Sequence, residues 1–359
     1  MSRPIQHPPL LDHTRHALRE SLSRQPSSLP RRSFLAAAAS TVAAVALATP
    51  AAASARRASA PAAARVSSAF ALPGDGVYPE GIAADPRTGD LYVGSYTTGA
   101  VYRAAPGRRT ADVFLPAGAD GRNTANGLKA DAAGRLWVTD STAGVDVYDL
   151  RTRALLARFD VPGDAPRFVN DLAIAADGTV FLTDSVREVV HRVTPADLAR
   201  AVARGGRGEL TTAYDLGGVV APHPAGTFTL NGIVARGRHL FVVDMTAGAL
   251  HRVDLVDGSL RQVTLHGGDL VNGDGLELVG GTLWAAQNRT DTVSRWRLSA
   301  DGTSARLERS VTDPALQIPT TLVRHRGRTL VVRSQFDKGG PMGPGTPETP
   351  FTVAQVHGI

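Results

Sequence analysis

Hydrophobic and polar positions along this chain fall into short alternating runs punctuated by Gly, Asp and Asn. The clearest is Asn170-Asp171-Leu172-Ala173-Ile174-Ala175-Ala176-Asp177-Gly178-Thr179-Val180-Phe181-Leu182-Thr183-Asp184-Ser185. It predicts a β-hairpin: an apolar run from Leu172 to Ala175, a turn at Asp177-Gly178 where glycine accepts positive φ, and a strand from Thr179 to Thr183 rich in β-branched and aromatic residues. Near-copies begin at Glu80-Gly81-Ile82, Asn126-Gly127-Leu128, Asn231-Gly232-Ile233, Asp274-Gly275-Leu276 and Thr320-Thr321-Leu322. The aligned positions Gly81, Gly127, Asp171, Gly232, Gly275 and Thr321 lie 46, 44, 61, 43 and 46 residues apart. A repeat of that length fits one four-stranded blade, so the expected fold is all-β, a six-bladed β-propeller over residues 66–359.

The text after each hairpin supplies the outer strands, for example Ala100–Arg103 and Asp112–Leu115 in the first repeat. The last repeat has one strand too few after Phe351–Val356. Val66–Leu72 is expected to complete it, closing the ring and covering an otherwise exposed edge. Two insertions break the rhythm. One holds a short helix at 194–202 with Thr194 as N-cap and Pro195 in the first turn, then a strand at Leu210–Leu216 and a loop from Val219 to Leu230. The other, Lys338–Pro350, is rich in Gly and Pro. Both are expected on the face where the innermost strands begin, as substrate-facing loops or plain surface loops.

Composition narrows the chemistry. The chain of 359 residues has no cysteine, which excludes disulfides, thiolate nucleophiles and sulfur-ligated zinc. Its net charge of +6 sits almost wholly in residues 1–65, where nine arginines face Asp12 and Glu20; the remainder holds 30 basic against 31 acidic residues. A phosphate-binding surface is therefore not expected on the propeller, and nucleic acid is not an expected partner. The leader itself resembles a twin-arginine signal peptide: Arg31-Arg32-Ser33-Phe34-Leu35, an Ala/Val-rich run to about Ala48, and the A-x-A sequence Ala53-Ser54-Ala55. It departs from the usual pattern at Pro30 and Ala36. The expected organisation is a tail and signal peptide at 1–55, a flexible linker at 56–65, then the propeller, with export to the cell envelope or beyond. An uncleaved membrane anchor is the alternative, and Ser40, Thr41, Thr49 and Pro50 make the run weakly hydrophobic for that role.

The residue just ahead of each innermost strand is drawn into a ring around the axis: Glu80, Asn126, Asn170, Asn231, Asp274 and Thr320. Two carboxylates and three carboxamides form an oxygen-only cage of charge −2, suited to a hard cation, with Ca²⁺ first and Mg²⁺, Mn²⁺ or Zn²⁺ as alternatives. Asn-Gly and Asp-Gly are also ordinary turn formers, and any one of these residues alone would be read so.

With these motifs the chain resembles the SMP-30/gluconolactonase/LRE family, relatives of paraoxonases and diisopropylfluorophosphatase, over about residues 66–359. The resemblance implies that Glu80, Asn170, Asn231 and Asp274 hold one catalytic divalent cation and that Asp274 is the catalytic base or orients the nucleophile. Two departures stand out: Ile82 and Ala84 follow Glu80-Gly81 where the family carries Glu-Gly-Pro-x-Trp, and Arg167 lies three residues ahead of Asn170 rather than two. Asn126 is an additional ligand or a pocket donor. Arg167 and, in the inserted loop, His223 are the other candidates for contact with a small-molecule substrate. Asp140, Asp184 and Asp244 share the end of the second strand and are expected to cap turns; His191 and His251 are expected to be structural. No phosphate loop, G-x-S-x-G elbow or H-E-x-x-H helix occurs. The expected activity is metal-dependent hydrolysis of a small ester, a sugar lactone first; the alternative is a non-catalytic exported propeller that binds a small ligand or a protein at the same face.

Overall fold

The computed structural model describes residues 64–359. The leader expected over 1–55 lies outside the described residues, as does the linker expected over 56–65 except for its last two positions, of which Arg65 already opens a strand.

Strand β1 (Arg65–Ala71) is followed by an antiparallel sheet of β2 (Pro79–Ala84), β3 (Leu91–Ser95), β4 (Val101–Ala104) and β5 (Asp112–Leu115). The next sheet contains β6 (Leu128–Ala130), β7 (Arg135–Asp140), β8 (Gly144–Asp149) and β9 (Leu155–Asp160). Strands β10 (Val169–Ile174), β11 (Val180–Asp184) and β12 (Val189–Val193) then lead into helix α1 (Pro195–Ala203). The helix starts as expected, with Thr194 and Asp197 in a reciprocal capping box and Pro195 in the first turn. After it, β13 (Arg207–Glu209) pairs in parallel with β9 as a fifth strand of the second sheet, a strand the sequence did not suggest, and β14 (Thr211–Asp215) completes the third.

Strands β15 (Leu230–Arg236), β16 (His239–Asp244), β17 (Ala249–Asp254) and β18 (Leu260–His266), with β19 (Gly273–Val279), β20 (Thr282–Gln287), β21 (Thr292–Leu298) and β22 (Ser304–Thr312), form one eight-stranded sheet. Its two antiparallel halves meet through a parallel contact between β18 and β22, Thr264 to His266 against Ser304 to Arg306. The last sheet holds β23 (Leu322–His325), β24 (Arg328–Val332), β25 (Thr352–His357) and, at its outer edge, β1. Arg65 stands opposite His357 and Ala71 opposite Thr352, so the first and last strands are partners. The fold is all-β and propeller-like, with four separate sheets and one of eight strands where six separate sheets were expected.

The hairpin turn at Asp177-Gly178 forms as expected. Gly178 takes φ 83°, and the Asp177 carboxylate accepts from Thr179 N at 2.9 Å. Six apolar clusters fill the gaps around the ring: five lie between neighbouring sheets and one between the two halves of the eight-stranded sheet. Phe70, Ile82 and Val93 pack with Leu330 and Val353; Val145 and Phe159 with Leu172 and Leu182; Val243 and Leu250 with Leu283 and Trp296. Innermost strands run side by side in the order β2, β6, β10, β15, β19, β23 and back to β2. That closed inner ring positions the site. Among the described residues no helix is long and apolar enough to cross a membrane.

Candidate functional site

Four innermost strands carry the same β-bulge, between Pro79 and Ile82, Val169 and Leu172, Leu230 and Ile233, and Gly273 and Leu276. A bulge re-aims a side chain that regular pairing would send elsewhere, and the residues it releases here are Glu80, Asn170, Asn231 and Asp274. At Gly81 and Gly232 the following residue has to lack a side chain, because the neighbouring inner strand lies against it. A Cβ on Gly81 would lie 1.9 Å from the Asn126 carbonyl oxygen, and one on Gly232 2.3 Å from that of Asp274. Hydrogen bonds between repeats lock the ring: Gly127 N and Thr139 Oγ1 donate to Asn170 O at 3.0 and 2.6 Å, Thr183 Oγ1 to Asn231 O at 2.7 Å, and Thr320 Oγ1 to Glu80 O at 2.8 Å. Glu80, Asn126, Asn170, Asn231, Asp274 and Thr320 are all buried, none more than 5% exposed.

Three of the ring residues are steered by the residue just past the second strand of their own hairpin. Asn170 Nδ2 donates to Ser185 Oγ at 3.0 Å, Asn231 Nδ2 to Met245 Sδ at 3.3 Å, and Asn288 Nδ2 donates to Asp274 Oδ2 at 2.7 Å. The Asn170 and Asn231 nitrogens are thus tied to their own blades. Asn231 Oδ1 is buried without a partner, as are both polar atoms of the Asn126 amide. Leaving such atoms unpaired costs about 1–3 kcal/mol each. Thr320 is different: its hydroxyl is engaged by Glu80 O and by Ser334 Oγ at 2.6 Å.

The electrostatics are those of a desolvated acidic pocket. Burial, then the charges of Asp274 and Asp171, pushes the Glu80 carboxyl well above its ordinary range. Burial pushes Asp274 up to about 7, with Asp171 adding to the rise against hydrogen bonds from Asn288 and Asn231. Asp171, to which the sequence assigned no role beyond its place in the repeat, is thus the third charge of the site. It stands where four other repeats have glycine and the last has Thr321; its carboxylate accepts from Leu172 N at 2.8 Å and Ile233 N at 3.4 Å, and burial raises it too. Asp171, Ser185, Met245 and Asn288 were missed because the repeats suggested candidates only at the residue ahead of the first strand and at the end of the second. Aligning the residue after the second strand would have found the last three. Among the described residues no group of three or more His, Asp or Glu comes together at metal-ligand spacing. Any cation here would have two acids and amide oxygens, a donor set that suits hard ions.

Of the outlying candidates, Arg167 gives two N–H groups to its own loop, at Val161 O (3.2 Å) and Gly163 O (2.5 Å). His223 is paired through Nε2 with Glu188 Oε1, and its Nδ1 lies 2.9 Å from Pro224 O; that carbonyl and then Glu188 hold the imidazole above its ordinary range. Asp140, Asp184 and Asp244 cap turns as expected, for instance Asp184 Oδ1 accepting from Phe168, Val186 and Arg187 N at 3.0, 3.1 and 3.0 Å. His191 and His251 are buried in matching strands, and burial holds His251 below the ordinary imidazole range. Past the opposite end of the inner strands lies a cavity of about 290 Å³ lined by Ile82, Lys129, Glu277 and Arg324, where Lys129 and Glu277 pair at 3.8 Å.

Neither a family model nor a curated protein matches the sequence. Solved structures with the same fold do. A gluconolactonase from Xanthomonas campestris is 18% identical with a TM-score of 0.56, the match covering 82% of this chain and 90% of that one. The allergen Mala s 1 of Malassezia sympodialis is 16% identical with a TM-score of 0.59, covering 80% and 95%. A streptogramin B lyase is 11% identical with a TM-score of 0.52, covering 82% and 97%. At these identities the likeness is one of fold, consistent with a gluconolactonase-like propeller, and two of the three are named as enzymes.

Proposed function

We propose that this chain is a six-bladed propeller that hydrolyses small esters, with one divalent cation held by Glu80, Asn170, Asn231 and Asp274 on its axis. The blade count follows from the inner ring β2, β6, β10, β15, β19, β23, if the short parallel contact of β18 with β22 is taken as two blades touching at their outer edges. One observation carries the functional reading: buried amide oxygens without partners and two carboxyls raised by burial share one axial site. A cation of the Ca²⁺ type is the simplest partner for that set. Bound there, it would supply Lewis acidity toward an ester carbonyl. Glu80 and Asp274 provide the negative charge, Asn170 and Asn231 the neutral oxygens, and Asn126 a further donor or acceptor. Asp274, one oxygen of which is held by Asn288, is the group assigned to take the proton from attacking water. The neighbouring fold of a gluconolactonase makes sugar lactones the first substrates to try.

Elemental analysis and turnover in the same preparations test this reading. The wild type should carry one divalent cation and lose activity with EDTA. Asp274→Asn should bind the cation at least about 30-fold more weakly, the scale of removing one charge from a buried pair, and Asn126→Ala should lose less than about tenfold. A wild type that takes up no divalent cation in excess sinks the hydrolase reading. We also propose export by the twin-arginine route. Lysines in place of Arg31 and Arg32 should leave precursor in the cytoplasm, and unchanged secretion of that variant would exclude the route.

A further inference from the structure

Four aromatic side chains from separate loops form one continuous line of contacts beside the axial site. Phe336 lies 5.3 Å from Tyr96 between ring centroids, Tyr96 stacks at 6.5 Å and 30° on Phe168, and Phe168 meets Phe228 edge-on at 4.7 Å. Phe336 is buried, while the other three are only half-buried. Their backbones are pinned to the ring's own supports. Tyr96 N donates to Tyr78 O, two residues before Glu80, at 3.1 Å; Phe168 N donates to Asp184 at 3.0 Å and Phe168 O accepts from Ser185 N at 2.9 Å; Phe228 O accepts from Thr246 Oγ1 at 2.7 Å.

Tyr96 occupies, in its hairpin, the position that Ser185, Met245 and Asn288 occupy in theirs, where they touch the axial residue. Its hydroxyl makes no hydrogen bond among the described residues, and burial, then the charge of Glu80, holds it above the ordinary phenol range. Half-exposed rings gathered at the edge of a polar, desolvated site are how pockets present an apolar wall with a few oriented polar groups.

We infer that the ligand of this site carries a planar aromatic group, packed against Phe168 and Phe228 and oriented by the free Tyr96 hydroxyl. The inference rests on the hydrolase reading for the word substrate: the compound is then an aryl ester or an ester of an aromatic acid. A polyhydroxylated sugar lactone wants a hydrogen-bond partner for each hydroxyl, and this wall offers the Tyr96 hydroxyl alone. Hydrolysis consumes only water. Its oxygen bonds to the acyl carbon as the acyl C–O bond breaks, and the alcohol leaves with a proton.

The test uses the full chain with Ca²⁺ in excess, measuring kcat/KM for 2-naphthyl acetate and glucono-1,5-lactone, and calorimetric binding of the non-hydrolysed N-(2-naphthyl)acetamide. The wild type should prefer the naphthyl ester by at least about tenfold, and Phe168→Ala and Phe228→Ala should each weaken amide binding by about tenfold, the scale of one aromatic contact. Phe168→Leu, which keeps apolar volume and removes the ring, should fall between. Preference for the lactone, with the amide bound no better by wild type than by the variants, overturns the inference and leaves the hydrolase reading in place. Turnover of neither ester, with ring-dependent binding of the amide, removes the hydrolase reading and supports the aromatic ligand.

Discussion

Asp274 sets the behaviour of the site with pH. Burial lifts its carboxyl to about 7, above the value it has in an unfolded chain, so the cation-free fold holds this proton more tightly than the unfolded chain does. The stability that protonation lends is present at low pH and is lost as pH rises through about 7. Glu80 shifts in the same direction. Chelator-treated protein should therefore melt at a lower temperature at about pH 8 than at about pH 5.5, and excess Ca²⁺ should reverse the trend by binding the ionised form. A melting temperature that rises with pH in the absence of cation contradicts the buried-acid account. The identity of the ring residues was legible in the sequence, because four of six repeats place Asn or Asp just ahead of an apolar strand. Their orientation was not: it depends on Ser185, Met245 and Asn288, three unlike residues whose common role appears only when the strands are paired.

The hairpins could be read at the scale of elements because period-two alternation and a turn recur at nearly constant spacing, and a strand buried on both faces tolerates little else. Helix α1 was legible from Thr194 and Pro195, whose chemistry fits the start of a helix and no other place. Strand β13 was not, since Arg207-Gly208-Glu209 has no strand pattern and is held only by its parallel pairing with β9. The aromatic line escaped for a related reason. Phe168 lies two residues before its ring partner, Phe228 three before its own, and Tyr96 and Phe336 follow second strands, so no repeat register aligns them. Strand β1 carries the prediction that belongs here. Deleting residues 66–72 should uncover β25 along its length and take Phe70 and Leu72, both buried, out of the core, at about 1.5–3 kcal/mol each. Circular dichroism melts measure the loss, and an unaltered melting temperature would show that β1 does not hold the ring together.

Among the described residues five of the six apolar clusters are shared between two sheets and the sixth between the two halves of the eight-stranded sheet, so no four-stranded unit owns a core of its own and the ring is stable only as a ring. Shared fold with a gluconolactonase and a lyase at 18% and 11% identity fits that view: the scaffold is kept by packing between strands while most of the sequence changes. The pairing of Arg65 with His357 also sets an order of events in time. These residues are 292 positions apart, and bringing such distant segments together carries a chain entropy of about 5 kcal/mol by the logarithmic rule. Strand β1 leaves the ribosome before the other described strands and, apart from Ala71 at its end, which bridges to Thr110, has no strand partner until β25 has been made, so most of it must wait unpaired through nearly the whole of the propeller's synthesis. The short, half-exposed, arginine- and serine-bearing sequence Arg65-Val66-Ser67-Ser68 suits a segment that has to stay soluble while it waits.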